Sequence, residues 1–199
     1  MTLIATRLRA VSIRSARAAL LVGLLAPLVW LAPWPIQAQV ISEAHTNERS
    51  VMAAYIYRFI TYVEWPASAF PNAEAPIVIG VVNADDIAAE LEQIVQGRTA
   101  LNRRLQVRRL AVGEPWTGVN VLFVGGENAP KHLQTAKTLT DRSVLTITGV
   151  ARGIEHGSVI NFVQVDGRVR FEVNVAVAEK SGLRLSSRLL TVATRIKAG

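Results

Sequence analysis

The 199-residue sequence contains no cysteine. This absence excludes disulfide bonds, thiolate ligands for zinc and a catalytic thiol, so the chain depends on its hydrophobic core for stability. The sequence also lacks a G-x-S-x-G elbow, an H-E-x-x-H motif and a Walker-type glycine loop. Its three histidines, His45, His132 and His156, are far apart in the sequence, which indicates surface or loop residues. We therefore expect no metal site, no cofactor and no enzymatic activity.

Acidic residues are missing from the first 38 positions, which carry four arginines and then an apolar run over 18–36. A basic segment, an apolar segment and small residues before a cut are typical of a secretory signal peptide. The interpretation is a signal peptide over 1–38, cut after Ala38, and one exported periplasmic domain over 39–199. The alternative is an uncleaved membrane anchor, which Pro27, Pro33 and Pro35 disfavour. Losing the four arginines lowers the net charge from +7 to +3, so we expect no nucleic-acid partner.

Strand-like and helix-like segments alternate along the exported part. This order predicts an α/β fold, a single domain with a mixed β-sheet and helices on both faces. Short apolar runs predict strands, and residues with helical spacing predict helices. The strands are expected at 77–82, 105–110, 119–124 and 143–148, and the helices at 43–63, from Asp85 or Asp86 to Gly97, at 128–139 and at 185–197.

Asp166-Gly167 predicts a type I′ turn that joins two strands over 159–175. In the resulting register one face of the hairpin is almost wholly apolar and must cover the core. The opposite face carries Asn161, Arg170, Glu172 and Asn174. We interpret these polar groups as a partly buried network whose members satisfy one another, with a binding site as the alternative.

A ligand site is a hypothesis for Gly125, Gly126 and Asn128, which follow a buried strand and precede a helix. The alternative is a tight turn with Asn128 as the helix cap. The arginines at 103, 104, 108 and 109 protect a strand edge or, alternatively, attract an acidic partner.

Three aromatic residues, Trp65, Phe70 and Trp116, lie in loops that contain proline or glycine. Aromatic residues in such loops are often anchors at protein interfaces, so partner binding is one hypothesis for all three. The alternative is that they cover the edge of the core.

Several segments, taken in order, resemble the YfiR-like family of periplasmic regulatory proteins: residues 55–66 (YIYRFITYVEWP), 77–81, 121–124, 144–147, 157–163, 170–174 and 181–190. The resemblance implies a protein that represses an inner-membrane diguanylate cyclase by binding its periplasmic sensor domain, which lowers cyclic di-GMP and disfavours biofilm formation. It leaves open a sensor kinase as the partner, a small ligand and a homodimer. The founding type of the family has cysteines in its periplasmic form, so disulfide-linked control does not extend to this sequence. A periplasmic small-molecule binder that serves a histidine kinase is the alternative function.

Overall fold

The computed structural model describes residues 37–114, 116–137 and 143–198, with side chains from residue 47 onward except 135–137. The described residues form one compact unit. Most of the predicted signal peptide lies outside the described residues, and Gln37 and Ala38 are the first two residues of α1. The helices are α1 (Gln37–Ile60), α2 (Asp85–Val95), α3 (Ala129–Lys137), α4 (Val175–Lys180) and α5 (Ser187–Thr191). No helix among the described residues has both the length and the apolar character that crossing a bilayer requires.

In the described part of the chain, ten strands form two sheets: β1 (Val63–Glu64), β2 (Ile77–Val82), β3 (Thr99–Ala100), β4 (Arg103–Leu110), β5 (Val121–Val124), β6 (Leu145–Thr148), β7 (Ile160–Val165), β8 (Arg168–Asn174), β9 (Arg184–Leu185) and β10 (Arg195–Lys197). The large sheet has the order β10-β8-β7-β6-β5-β2-β4-β3, and β1 pairs separately with β9. Strands β4, β2, β5, β6 and β7 are parallel to one another. β3 runs antiparallel to β4 and β8 runs antiparallel to β7, whereas β10 is parallel to β8. This arrangement confirms the predicted mixed sheet.

The central strands are nearly continuous apolar runs because both of their faces are covered. Successive side chains of a strand point to opposite faces, and the core divides in the same way. On one face Val81 and Phe123 pack in a cluster with residues of α1 and α2. On the other face Val82 and Leu122 pack with Leu133 of α3. Helices therefore lie on both faces, as predicted.

The hairpin of β7 and β8 has the predicted register, with Phe162 opposite Phe171 and Asn161 opposite Glu172. Asp166 and Gly167 have φ values of 51° and 68°, the positive angles that a type I′ turn requires. The apolar hairpin face carries α1: the ring centroids of Phe59 and Phe171 are 4.9 Å apart at an interplanar angle of 69°. This edge-to-face contact fixes α1 across the hairpin.

The predicted helix over 185–197 is wrong. That segment forms β9, the five-residue α5 and the edge strand β10. Val192 and Ile196, which the helical spacing places on the buried face, are exposed at 64% and 47%. Instead of forming a helix, the chain is extended at Ile196 and pairs with Val173 of β8. Ser186 caps the short helix α5, since its side chain accepts from the N–H of Arg188.

The first helix also ends earlier than predicted, at Ile60 instead of Val63. Val63 and Glu64 pair with Leu185 and Arg184 in the small sheet. The backbone N–H of Ser186 donates to the carbonyl of Tyr62 at 2.9 Å. The chain therefore leaves the helix before Pro66, because backbone pairing partners are available there.

Candidate functional site

The polar face of the hairpin contains a chain of contacts that reaches a neighbouring loop. Asn161 is fully buried, and its Nδ2 donates to Glu172 Oε2 at 3.4 Å. Arg195 of β10 pairs with Glu172 at 3.5 Å and with Glu155 at 3.4 Å. Glu155 in turn pairs with Arg152 at 2.7 Å. Of the four residues in the predicted network, Asn161 and Glu172 contact each other, and their contacts continue to Arg195 and Glu155, which the sequence did not indicate. The prediction is wrong for Arg170, which is exposed.

Arg152 controls the ionisation of Glu155. Its hydrogen bond holds the pKa of the Glu155 carboxyl below the usual value for glutamate, and the charge of Arg152 and the bond from Arg195 act in the same direction. The ionised form is the one that links the 151–157 loop to β10. Because the shift is downward, this contribution to stability is present at neutral pH and is lost as the pH falls through the lowered pKa.

Asn174 joins two elements at the end of β8. It is only 3% exposed, and its Oδ1 accepts from the N–H of Val177 at 3.1 Å, so it caps α4. Its Nδ2 donates to the carbonyl of Ile154 at 2.9 Å. Both ends of the side-chain amide are satisfied inside the protein, which favours a structural role.

Two buried oxygen atoms near this network, Ser158 Oγ and Asn161 Oδ1, have no hydrogen-bond partner among the described residues. Gly153 lies directly over Asn161, and a Cβ at that position would collide with Asn161 Oδ1 and with Thr148 Cγ2. Glycine at 153 therefore permits the close approach of the 151–157 loop to the sheet.

A cavity of about 410 Å³ opens at the carboxyl edge of the parallel strands β2, β5 and β6. Gly125 and Gly126 contribute to its wall, and the Arg49–Asp86 ion pair, with a separation of 2.6 Å, lies at its lining. This edge is where open α/β sheets bind ligands. The structure therefore provides space at the glycines of the ligand hypothesis.

Close packing alone explains one of those glycines. A Cβ at Gly125 would lie 2.8 Å from both the Cβ of Ala84 and the carbonyl oxygen of Asn83. Gly126 has φ +75°, and a Cβ there would collide with the side-chain amide of Asn83. Asn128 is exposed at the start of α3, where its carbonyl accepts from the N–H of His132 at 3.2 Å. The tight turn is present, and the ligand role stays a hypothesis.

The three loop aromatics differ in their surroundings. Trp116 is 5% exposed and belongs to the core on the α3 side of the sheet. Trp65 and Phe70 are half-buried against the other core, and the Arg103 guanidinium carbon lies 3.9 Å from the Phe70 ring centroid. The indole N–H groups of both tryptophans are buried and have no partner among the described residues. Trp116 thus covers the core, while Trp65 and Phe70 keep part of their surface exposed.

The arginines of β4 are largely engaged within the protein. Arg103 donates to three carbonyls of the loop before β2, at 2.7–3.0 Å. Arg109 pairs with Glu92 at 2.9 Å, which lowers the pKa of that carboxyl and raises the pKa of the guanidinium. Arg108 pairs with Glu114 at 3.5 Å, and Arg104 is exposed. These contacts fasten the loops and α2 to the sheet.

Arg170 of β8 is exposed, in contrast to the arginines of β4 that are held by loop carbonyls or glutamates. Together with Arg168 it lines a groove of about 490 Å³ between the hairpin and α1, where Val51 and Tyr55 form part of the opposite wall. The sequence indicated Arg170 but not the groove. The groove was missed because the segment over 185–197 was incorrectly predicted to be a helix, so the sequence did not indicate which strand lies beside β8. The hairpin was the only part of the groove that the sequence indicated.

Metal ligands are not grouped in the described part of the chain: it contains no set of three or more His, Asp or Glu side chains that could hold an ion. The side chain of His45 lies outside the described residues. His132 is 8% exposed in α3, so the expectation of a surface or loop position is wrong for this histidine. His156 is half-buried in the loop over 151–157.

Comparison with protein-family models finds a match over most of the described domain. The family model described as YfiR/HmsC-like matches residues 49–194. The match begins within α1 and ends just before β10, so it includes both sides of the core, the cavity at the carboxyl edge and the hairpin.

Proposed function

The chain belongs to the YfiR/HmsC-like family, and from this membership we propose that it binds and represses the periplasmic sensor part of an inner-membrane diguanylate cyclase. The observation that carries the proposal is the match over residues 49–194, which includes nearly the whole described domain. The family regulates diguanylate cyclases and is regulatory rather than catalytic. Repression lowers cyclic di-GMP and disfavours biofilm formation.

Repression by binding has a physical requirement. A regulator shifts the equilibrium of its target only if it binds the inactive state more tightly than the active state. It therefore needs a surface that recognises a shape or charge pattern of one state. Three of the predicted residues with an exposed or partly exposed side chain suit this role: Arg170, Trp65 and Phe70.

The proposed location is the periplasm, reached through a signal peptide over 1–38. Its support is the basic and apolar layout of that segment, and the family is periplasmic. The test is the mass of the protein recovered from the periplasmic fraction. A chain that begins at Gln39 supports cleavage after Ala38, whereas a full-length chain in the membrane fraction contradicts it.

The partner is tested by affinity capture. The tagged protein is expressed with its own leader, captured from detergent-solubilised membranes, and its partners are identified by mass spectrometry. We expect a diguanylate cyclase with a periplasmic domain. Deleting the gene should then raise cellular cyclic di-GMP, and restoring the gene should lower it again. Capture of a sensor kinase, with cyclic di-GMP unchanged on deletion, would refute the cyclase proposal.

The second candidate is a ligand-responsive input protein that serves a histidine kinase. The cavity of about 410 Å³ at the carboxyl edge favours it. A thermal-shift screen with small metabolites tests this function, because a ligand that binds only the folded state raises the melting temperature. Binding in the cavity predicts that Arg49→Gln abolishes the shift while the control Arg104→Gln keeps it. The absence of any shift would leave a pure interaction protein.

A further inference from the structure

Part of the outer edge of β8 is not covered by a strand. β10 pairs with β8 only from Glu172 to Asn174, and the N–H of Thr194 donates to the carbonyl of Phe171 at 2.9 Å. Beside Arg168–Arg170, none of the strands in the described part of the chain occupies the outer side. This open stretch of three residues is about 10 Å long.

The backbone at the centre of the open stretch is directed outward. The N–H of Asn174 faces β7, since it donates to Val159 at 2.8 Å, and the carbonyl of Phe171 faces the outer side. N–H and C=O groups of successive residues in a strand alternate between the two neighbours. Val169 therefore directs its N–H and its C=O to the open side.

The groove of about 490 Å³ lies along this open stretch. On the α1 side it is lined by Val51, Tyr55 and Glu48, and on the hairpin side by Val169 with an arginine before and after it. Arg168 and Arg170 share the opposite face of the strand from Val169. Both are exposed, and neither forms an ion pair with an acidic side chain of the described residues.

We propose that this groove binds an extended acidic–apolar–acidic segment of a partner protein, which adds as a strand to the open edge of β8. Its apolar side chain would lie beside Val169 and contact Tyr55, and its two acidic side chains would lie beside Arg168 and Arg170. Main-chain hydrogen bonds supply affinity in such strand addition, and the alternating side chains supply specificity. The proposal rests on the proposed function only for the identity of the partner.

The charges also argue against a second copy of this chain as the occupant. Two β8 edges that paired antiparallel about Val169 would place Arg168 of each copy opposite Arg170 of the other. Like charges directly opposite each other destabilise a strand pair. The same arginines that discourage self-pairing favour an acidic strand.

The test uses the whole exported domain and a capped fluorescent heptapeptide, Glu-Val-Glu-Val-Glu-Val-Glu, in low-salt fluorescence anisotropy. We expect saturable binding, weakened on the order of tenfold by Arg168→Glu combined with Arg170→Glu. Arg104→Glu, an exposed arginine on β4, should leave it unchanged. A peptide N-methylated at its valines, which cannot donate to the β8 edge, should bind about fivefold more weakly than the unmodified one.

The results distinguish the groove from the wider function. No binding of the Glu/Val peptide, or equal binding of the analogous Lys/Val peptide, overturns the proposal. So does tight binding that the double arginine variant does not weaken. If membrane capture retrieves a cyclase equally well with the double variant, the groove assignment fails and the proposed function survives. If the peptide binds as expected but no cyclase is captured, the groove stands and the cyclase proposal fails.

Discussion

Asn174 gives the sharpest test of whether the polar hairpin face is structural. Replacing it with alanine removes the acceptor for the N–H of Val177 and the donor for the carbonyl of Ile154. Loss of a helix cap costs about 1 kcal/mol, and leaving a buried carbonyl unsatisfied costs about 1–3 kcal/mol. We therefore expect Asn174→Ala to lower the free energy of unfolding by about 2–4 kcal/mol, the sum of these two costs.

The assay is urea unfolding followed by circular dichroism, with melting temperature as a second measure. For a domain of this size, each kcal/mol lowers the melting temperature by about 2–4 °C, so a fall on the order of 5–15 °C is expected. Asn174→Ser is the matched variant, because serine caps helices about as well as asparagine but cannot supply the bond to Ile154. It should be about 1 kcal/mol more stable than the alanine variant.

A loss below about 1 kcal/mol for Asn174→Ala would refute this reasoning, because it is less than the cost of an unsatisfied buried group alone. If such a variant also failed to capture the membrane partner, Asn174 would belong to the interface instead. Equal stabilities of the alanine and serine variants would show that the cap contributes little.

Three further predictions address the carboxyl edge, the core and the ion-pair chain. Gly125→Ala should lower the free energy of unfolding by about 1–3 kcal/mol, because backbone and Cβ atoms block the new methyl group. The control Gly149→Ala should be near neutral, because its nearest contact is the flexible end of Met52 at 3.2 Å. Equal urea midpoints for the two variants would contradict this prediction. Trp116→Ala should lower the free energy of unfolding by about 3–5 kcal/mol, and unchanged stability with weakened partner capture would restore the interface hypothesis. By NMR titration, the pKa of Glu155 should lie below the usual glutamate value and rise toward it in Arg152→Gln, and an identical titration in both proteins would contradict the assignment.

The hairpin was predictable because its determinants are local. The Asp166-Gly167 turn requires two positive φ angles, and the alternation on either side of it leaves one register that buries the aromatic residues. The polar face follows from the same register, since Asn161 must then lie opposite Glu172. For that reason, the residues of a site on this hairpin can be predicted from the sequence.

The C-terminal segment was not predictable from its own pattern. The spacing of Leu185, Leu189 and Ile196 fits a helix, yet only Leu189 of the three is fully buried. The pairing of Ile196 with Val173 joins residues that are distant in sequence, and a hydrophobic period carries no information about such a partner. Trp116 shows the same limit, because its loop composition left both an interface role and a position over the core open, and only its packing on the α3 side of the sheet shows that it is buried.

The arginines of β4 and of the hairpin differ in their contacts, and this contrast supports the proposed position of the partner-binding groove. Near the β3 end, Arg103 donates to loop carbonyls and Arg109 donates to Glu92, so both guanidinium groups already have partners within the fold. Near the β10 end, Arg168 and Arg170 flank an open backbone edge without such partners among the described residues. A cation that is already paired offers a partner little, because binding there would first have to break an existing contact. The denser arginine cluster in the sequence is therefore the weaker candidate for partner binding, and the two isolated arginines of the hairpin are the stronger one.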